Sequence, residues 1–186
     1  MRPRFWRPYR WQSLEMPGFE LMEMSDGARH VDLRGMLVTE AEGVALGAAY
    51  HIRLGADWVF HGLNLQMLDG RTLKLRSDGK GGWTEGDGAP RPDLADCIDI
   101  DLSGSPVTNS LPINRARMTA GESETFTMAY IDLVSLDVSP CQQEYLKRDA
   151  TSYRYCSVDS GFVAELTTDS DGIVTTYPGL FQLMET

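Results

Sequence analysis

The amino-acid sequence predicts an all-β, mainly antiparallel fold, in which a single curled sheet forms an open or half β-barrel with few short helical turns. In many segments apolar residues alternate with polar or small ones, most regularly from Val44 to Leu54. This period of two is typical of half-buried strands. Tight-turn pairs such as Asp69-Gly70 separate the segments. Strands joined by such turns, at spacings of roughly 8–12 residues, favour a sheet that curls into a barrel or half-barrel.

In the first half of the chain, strands are predicted at residues 4–12, 18–24, 30–40, 44–54, 58–68 and 71–77. The first carries aromatic residues that need burial, ending with Trp11. A Ser-Asp-Gly turn at 25–27 separates the second strand from the third. The alternation continues through Leu63 in the fifth strand and Leu73 in the sixth, and the turn at 69–70 joins these two as a hairpin.

In the second half, strands are predicted at residues 97–102, 123–133, 142–148, 152–158, 161–168 and 173–178. Turns at 159–161 and 171–172 separate the last three of them. The Gly- and Pro-rich segment 79–93 is the main irregular connection between the halves. Since no long stretch shows a 3.6-residue stripe, helix is expected only as a short turn, within 92–96 or 108–118.

Length and composition limit the classes of function. Residues 1–186 are predicted to form one domain, because no repeat or linker divides the chain. The net charge of −10 argues against nucleic acid as a partner, and the lack of an 18-residue apolar run argues against stable membrane insertion. Three cysteines without short spacing and the absence of a signal-peptide pattern favour a cytoplasmic protein with free thiols. No cofactor is predicted, since the sequence has neither a G-x-G-x-x-G motif nor a P-loop. The oligomeric state is not predicted.

The acidic stretch around Asp99 and Asp101 is the first candidate site. The sequence Asp-Ile-Asp-Leu-Ser-Gly from Asp99 matches the opening of a calcium loop, but Ser110 stands at position twelve, where that loop needs a glutamate. His51 and His61 lie on successive predicted strands without further ligands at metal-binding spacing. We therefore predict no metal site.

Two other interpretations of Asp99 and Asp101 stay open. Residues i and i+2 of a strand share a face and lie roughly 7 Å apart, so the two carboxylates could serve a hydrolase as acid and base. Alternatively, the chain is a structural or interaction protein without a small-molecule ligand, in which the acids brace the core. Buried acids would then need arginine or backbone N–H partners. The candidate arginines are Arg115, Arg117, Arg53, Arg76 and Arg154.

Several longer sequence motifs resemble those of a known protein family. Arg-Pro-Asp-Leu at 91–94 is followed by Cys-Ile-Asp-Ile-Asp at 97–101 and Pro-Val-Thr-Asn-Ser-Leu-Pro-Ile at 106–113. Tyr-Arg-Tyr at 153–155 and Tyr-Pro-Gly-Leu at 177–180 come later. In order and spacing, the chain from Trp11 to Leu180 resembles the bacterial putative glycolipid-binding family.

The resemblance implies a fold like the lipid-carrying half-barrel of the LolA/LolB-type lipoprotein carrier and receptor, and it brings no catalytic residues. Our leading hypothesis is therefore a non-enzymatic protein that binds an amphiphile, such as a glycolipid, in a cavity of the curled sheet. Carboxylates accept hydrogen bonds from sugar hydroxyls, so the polar head is expected beside the acidic stretch. The predicted ligand contacts are Asp99, Asp101, Thr108, Asn109, Arg115, Tyr153 and Tyr155.

Overall fold

The computed structural model describes residues 6–184, and these form one sheet of fifteen strands. The first eight strands are β1 Arg7–Ser13, β2 Phe19–Asp26, β3 His30–Ala41, β4 Val44–Gly55, β5 Phe60–Met67, β6 Thr72–Ser77, β7 Trp83–Glu85 and β8 Ala89–Pro90. The others are β9 Asp99–Leu102, β10 Ser123–Ile131, β11 Val138–Lys147, β12 Ser152–Ser157, β13 Val163–Thr168, β14 Val174–Tyr177 and β15 Phe181–Leu183. Short 3₁₀ turns at Pro92–Leu94 and Val107–Asn109 and one helix, α1 Ser110–Ala116, complete the described chain.

The sheet runs without branching from β8 at one edge to β9 at the other. Its order is β8-β7-β6-β5-β4-β3-β2-β1-β15-β14-β13-β12-β11-β10-β9. Neighbouring strands are antiparallel except β9 and β10, which pair in parallel with Met128 opposite Asp99. A parallel pair needs a crossover, and here residues 103–122, which contain α1, supply it. The predicted all-β, mainly antiparallel sheet is confirmed.

The sheet curls so that its two edges approach one another. Trp83 on β7 donates from Nε1 to the Cys97 carbonyl at 3.1 Å, and Arg91 donates from Nη2 to the Val138 carbonyl at 2.6 Å. No strand pairing joins β8 to β9 in the described part of the chain, so the barrel stays open there. The two ends of the sheet nevertheless share one core, since Leu75 and Ile100 belong to the same buried cluster.

The crossover fills the space inside the curl. Leu111 of α1 packs into the cluster that the first strands form, and Ile113 packs into a second cluster around Tyr145. Ser110 accepts a hydrogen bond at Oγ from the Val174 amide at 3.0 Å, which ties α1 to β14. Within residues 6–184, no helix is long and apolar enough to span a bilayer.

Each strand predicted from the alternation is present. Of the two candidate helical segments, 92–96 contains a 3₁₀ turn and 108–118 contains α1. The predicted strands do not include β7, β8 or β15. Strands of two or three residues are too short to show a period, and β7 and β8 lie in the Gly- and Pro-rich segment that was interpreted as irregular. Residues 4 and 5 of the first predicted strand lie outside the described residues.

Candidate functional site

Asp99 and Arg115, two of the predicted ligand contacts, form a buried ion pair. The Asp99 side chain is 0% exposed, and its Oδ2 lies 2.9 Å from Nε and 2.8 Å from Nη2 of Arg115. The guanidinium also stacks over the Phe126 ring at 4.8 Å. Burial raises the pKa of Asp99, whereas the bond to Arg115 opposes this rise. Among the arginines suggested by sequence, Arg115 is the one that meets this acid.

Asp101 belongs to a neighbouring hydrogen-bond network. It accepts at Oδ1 from Thr108 Oγ1 at 3.0 Å and at Oδ2 from Gln143 Nε2 at 2.6 Å. Thr108 in turn accepts from the Leu102 amide at 3.2 Å. Burial raises the pKa of Asp101, and the two side-chain hydrogen bonds oppose the rise. The network therefore fixes the start of the crossover against β9 and β11.

The remaining predicted contacts surround Tyr145. Its hydroxyl lies 2.9 Å from Asn109 Oδ1 and 3.0 Å from Gln143 Oε1. Tyr155 packs edge-on against the Tyr145 ring, with centroids 5.3 Å apart. Tyr153, on the same face of β12, is also buried and carries the Lys147 ammonium over its ring at 5.2 Å. Asp101, Thr108, Asn109 and Tyr155 thus form one cluster with Tyr145.

This arrangement does not support the hydrolase hypothesis, because a catalytic acid and base must reach a substrate and Asp99 is fully buried. Within residues 6–184, no group of three or more His, Cys, Asp or Glu is placed to hold a metal ion. That the seven predicted residues touch a ligand stays a prediction. In the structure Asp99 pairs with Arg115 and Asp101 bonds to Thr108, and these contacts hold the crossover against β9. The start of the crossover, at Ser103 and Gly104, in turn lines a pocket.

An open pocket of about 290 Å³ lies at one end of the half-barrel, and we call it the end pocket. The hairpins β1–β2 and β3–β4, the Ser103-Gly104 turn and the β10–β11 loop surround it. Its carboxylates are Glu15, Glu40, Glu42 and Asp132, and its hydroxyls are Ser13, Thr39, Ser103 and Tyr130. Its apolar lining is Met16, Ala41, Leu46, Leu133, Val134, Leu180 and Phe181. The end pocket can therefore contact sugar hydroxyls and apolar surface together.

An exposed apolar groove lies on the outer face of the sheet, next to the end pocket. We call it the outer groove, and its floor is made of the small outward residues of β4, Ala45, Gly47 and Ala49, with walls that include Met36, Val38 and Leu68. Its two overlapping lobes measure about 390 and 310 Å³. Leu68 is 88% exposed, which is unusual for a leucine on a water-facing surface. Leu46 belongs to the lining of both the end pocket and the outer groove, so the two surfaces adjoin at this position of β4.

A buried acid lies behind the end pocket. Glu20 on β2 accepts a hydrogen bond from the Tyr50 hydroxyl, and Ser105 Oγ lies 2.9 Å from both of its carboxylate oxygens. Ser105 directly follows Gly104 of the pocket wall. Tyr50 reaches Glu20 across Gly35, where a Cβ would lie 2.3 Å from the tyrosine oxygen. Burial raises the pKa of Glu20 from 4.5 to about 7, although both hydrogen bonds oppose the rise.

Glu20, the end pocket and the outer groove are not among the features predicted from the sequence. A signal for Glu20 existed, because it shares the inward phase of β2 with Met22 and Met24. That phase was ambiguous, since Phe19 and Leu21 on the other face are also apolar. The pocket draws its lining from hairpins far apart in sequence, so no local pattern could have assembled it.

Comparisons with known proteins come from a family model and a crystal structure. The model described as putative glycolipid-binding matches residues 9–183. The crystal structure of a DUF1089-family protein from Pseudomonas aeruginosa is 33% identical, with a TM-score of 0.81. The match covers 89% of this chain and 91% of the Pseudomonas chain. A search of curated proteins finds no match.

Proposed function

Because this chain belongs to the putative glycolipid-binding family, we propose that it binds a glycolipid without catalysing a reaction on it. The sugar head occupies the end pocket, and the acyl tail lies in the outer groove. The observation that carries this proposal is that the two surfaces adjoin at Leu46, which lines both. An amphiphile needs a polar site and an apolar site within the length of one molecule, and these two surfaces adjoin.

The chemistry of the end pocket supports a sugar with free hydroxyls. Ionised carboxylates only accept hydrogen bonds, and sugar hydroxyls are donors, so Glu40 and Glu42 complement such a head. A phosphate head would be repelled by the four acids of the lining. We therefore propose that the end pocket prefers a neutral glycolipid to an anionic one.

The outer groove supports the tail through burial of apolar surface. Each methylene group that leaves water contributes about 0.8 kcal/mol. The floor from Ala45 to Ala49 spans about 13 Å along the strand, at roughly 3.3 Å per residue, and this length accommodates part of an acyl chain. Gly47 keeps the floor low, since a Cβ there would already lie 3.3 Å from Leu68 Cβ.

A charge in the outer groove tests the proposal. We expect Leu68→Asp to weaken the binding of an alkyl glucoside by about tenfold or more, because the tail would have to displace water from a carboxylate. The affinity is measured by calorimetry below the critical micelle concentration of the glucoside. Leu68 is exposed, so the fold should tolerate the change. Val163→Asp is the matched control, since Val163 is 44% exposed on distant β13. Equal affinity in Leu68→Asp and the wild type would exclude the groove as the tail site.

We also propose that the protein acts in the cytoplasm. Cys97, Cys141 and Cys156 form no disulfide with one another, and a reducing compartment keeps such thiols free. Burial raises the pKa of Cys97 to about 11 and that of Cys141 to about 12, so both stay protonated at neutral pH. This protonation supports packing, rather than redox chemistry, as their role.

A further inference from the structure

We infer that a second binding site, on the outer face of β4, β5 and β6, takes a phosphate-type oxyanion. A pocket of about 320 Å³ lies there, and we call it the basic pocket. Its lining residues are His51, Arg53, His61, Gly62, Asn64 and Arg76. This described lining contains no Asp or Glu, although the chain as a whole has a net charge of −10.

The strand register brings the cationic groups together. Arg53 of β4, Gly62 of β5 and Arg76 of β6 lie in one cross-strand row. His51 and Asn64 lie opposite one another in the next row. Arg53 and Arg76 lie two strands apart, and Gly62 on the strand between them carries no side chain. The two arginines of this row therefore form the two sides of an anion site.

Arg76 is held in place before any ligand arrives. Its Nη1 donates to the carbonyls of Leu63 at 2.9 Å and Leu75 at 2.7 Å, and its Nη2 donates to Asn64 Oδ1 at 2.9 Å. A guanidinium has five N–H donors, so two still point to other acceptors. Gly62 permits this position, because a Cβ there would lie 3.0 Å from Arg76 Cδ and 3.1 Å from Nη1. A fixed guanidinium binds an oxyanion with a smaller loss of entropy.

One carboxylate lies behind the basic pocket. Asp32 is 1% exposed, and its Oδ1 lies 2.7 Å from His51 Nε2 and 3.6 Å from Arg53 Nε. Its Oδ2 lies 3.1 Å from His30 Nε2. Asp32 orients His51 and offsets the charge of Arg53, whereas the hydrogen bonds of Arg76 go to two carbonyls and an amide and leave its charge in place. Arg53, with a side chain 62% exposed, can turn toward a ligand.

The chemistry points to a tetrahedral oxyanion, since two guanidinium groups, the Asn64 amide and the His61 imidazole can surround the oxygens of a phosphate. The phosphate could be free or could belong to a lipid. On the same strand faces, Ala49 and Gln66 of the outer groove lie two residues from His51 and Asn64. This inference is independent of the proposed sugar site, because none of the six lining residues belongs to the end pocket.

Titration of the full chain with inorganic phosphate, at constant ionic strength and followed by amide NMR shifts, tests the inference. We expect saturable shifts at Asn64 and Gly62, and at least about a tenfold loss of affinity in Arg53→Gln and in Arg76→Gln. Arg10→Gln removes the same charge from β1 and should bind as the wild type does. Arg53 is largely exposed, so its variant stays informative even if Arg76→Gln unfolds.

Vesicles distinguish the two sources of phosphate. Phosphatidylcholine vesicles that contain phosphatidic acid are compared with pure phosphatidylcholine, using the same variants. Saturation by inorganic phosphate alone identifies a free phosphate ligand. Binding only to the phosphatidic acid vesicles, lost in Arg53→Gln, identifies a lipid phosphate. If neither probe binds, or if Arg53→Gln binds both as the wild type does, the inference is overturned.

Discussion

Replacement of Arg115 by Met should lower the free energy of unfolding by about 3–5 kcal/mol, because it leaves a buried carboxylate without its partner. Asp99 is fully buried, and Arg115 is the group that opposes the rise of its pKa. Asp99 Oδ1 has no hydrogen-bond partner in the described part of the chain, so no second donor there compensates. The loss is measured by urea denaturation at neutral pH.

A double variant distinguishes the effect of the ion pair on the free energy of unfolding from the effect of side-chain packing. With Asp99→Leu added, the buried charge disappears, and apolar replacements of buried ion pairs are often neutral. We expect the double variant to recover most of the loss. Arg117→Met is the control, since Arg117 is exposed two residues further on and its change should stay within about 0.5 kcal/mol. Wild-type stability in Arg115→Met would mean that the pair does not hold the crossover.

The variant Glu20→Gln should change how stability depends on pH. The pKa of Glu20 is raised in the folded protein from 4.5 to about 7, so the unfolded chain releases this proton first as pH rises. The folded state then loses stability between about pH 4.5 and 7, by up to about 1.4 kcal/mol per pH unit, and the loss levels off above 7. Relative to Glu20→Gln, the wild type should lose roughly 3 kcal/mol across this window.

Denaturation at a series of pH values checks this difference. Other acids titrate in both proteins, so their contributions cancel when the two curves are subtracted. Glu23→Gln is a control on the exposed face of the same strand and should follow the wild type. Parallel curves for the wild type and Glu20→Gln would show that Glu20 does not bind its proton more tightly in the folded state.

The sequence predicted the sheet well because its signals are local. The alternation of apolar with polar or small residues between Val44 and Leu54 indicates a strand with one buried face. Turns such as Asp69-Gly70 indicate hairpins directly. The parallel pairing of β9 with β10 was not predicted, since it depends on a crossover whose path no local pattern encodes. The order of the sheet follows the chain elsewhere, except where β1 pairs with β15.

The site was harder to predict, because position in the fold decides what a residue can reach. Asp99 and Asp101 looked like ligand contacts, yet the structure pairs them with Arg115 and Gln143. In contrast, Leu68 belongs to an ordinary hairpin, and its 88% exposure appears only when the neighbouring strands are placed. The burial and exposure of a side chain depend on how the strands assemble into the sheet, and the sequence pattern of a single strand does not determine them.

The central claim is that the tail of a glycolipid lies on the outer face of the sheet. An alkyl glucoside with a photoreactive diazirine at the end of its chain tests this most directly, since the label inserts where the tail rests. Mass spectrometric mapping should find the label around Val38, Gly47 and Leu68. Labelling confined to Tyr153, Tyr155 and their neighbours in the interior would contradict the claim and place the tail inside the half-barrel.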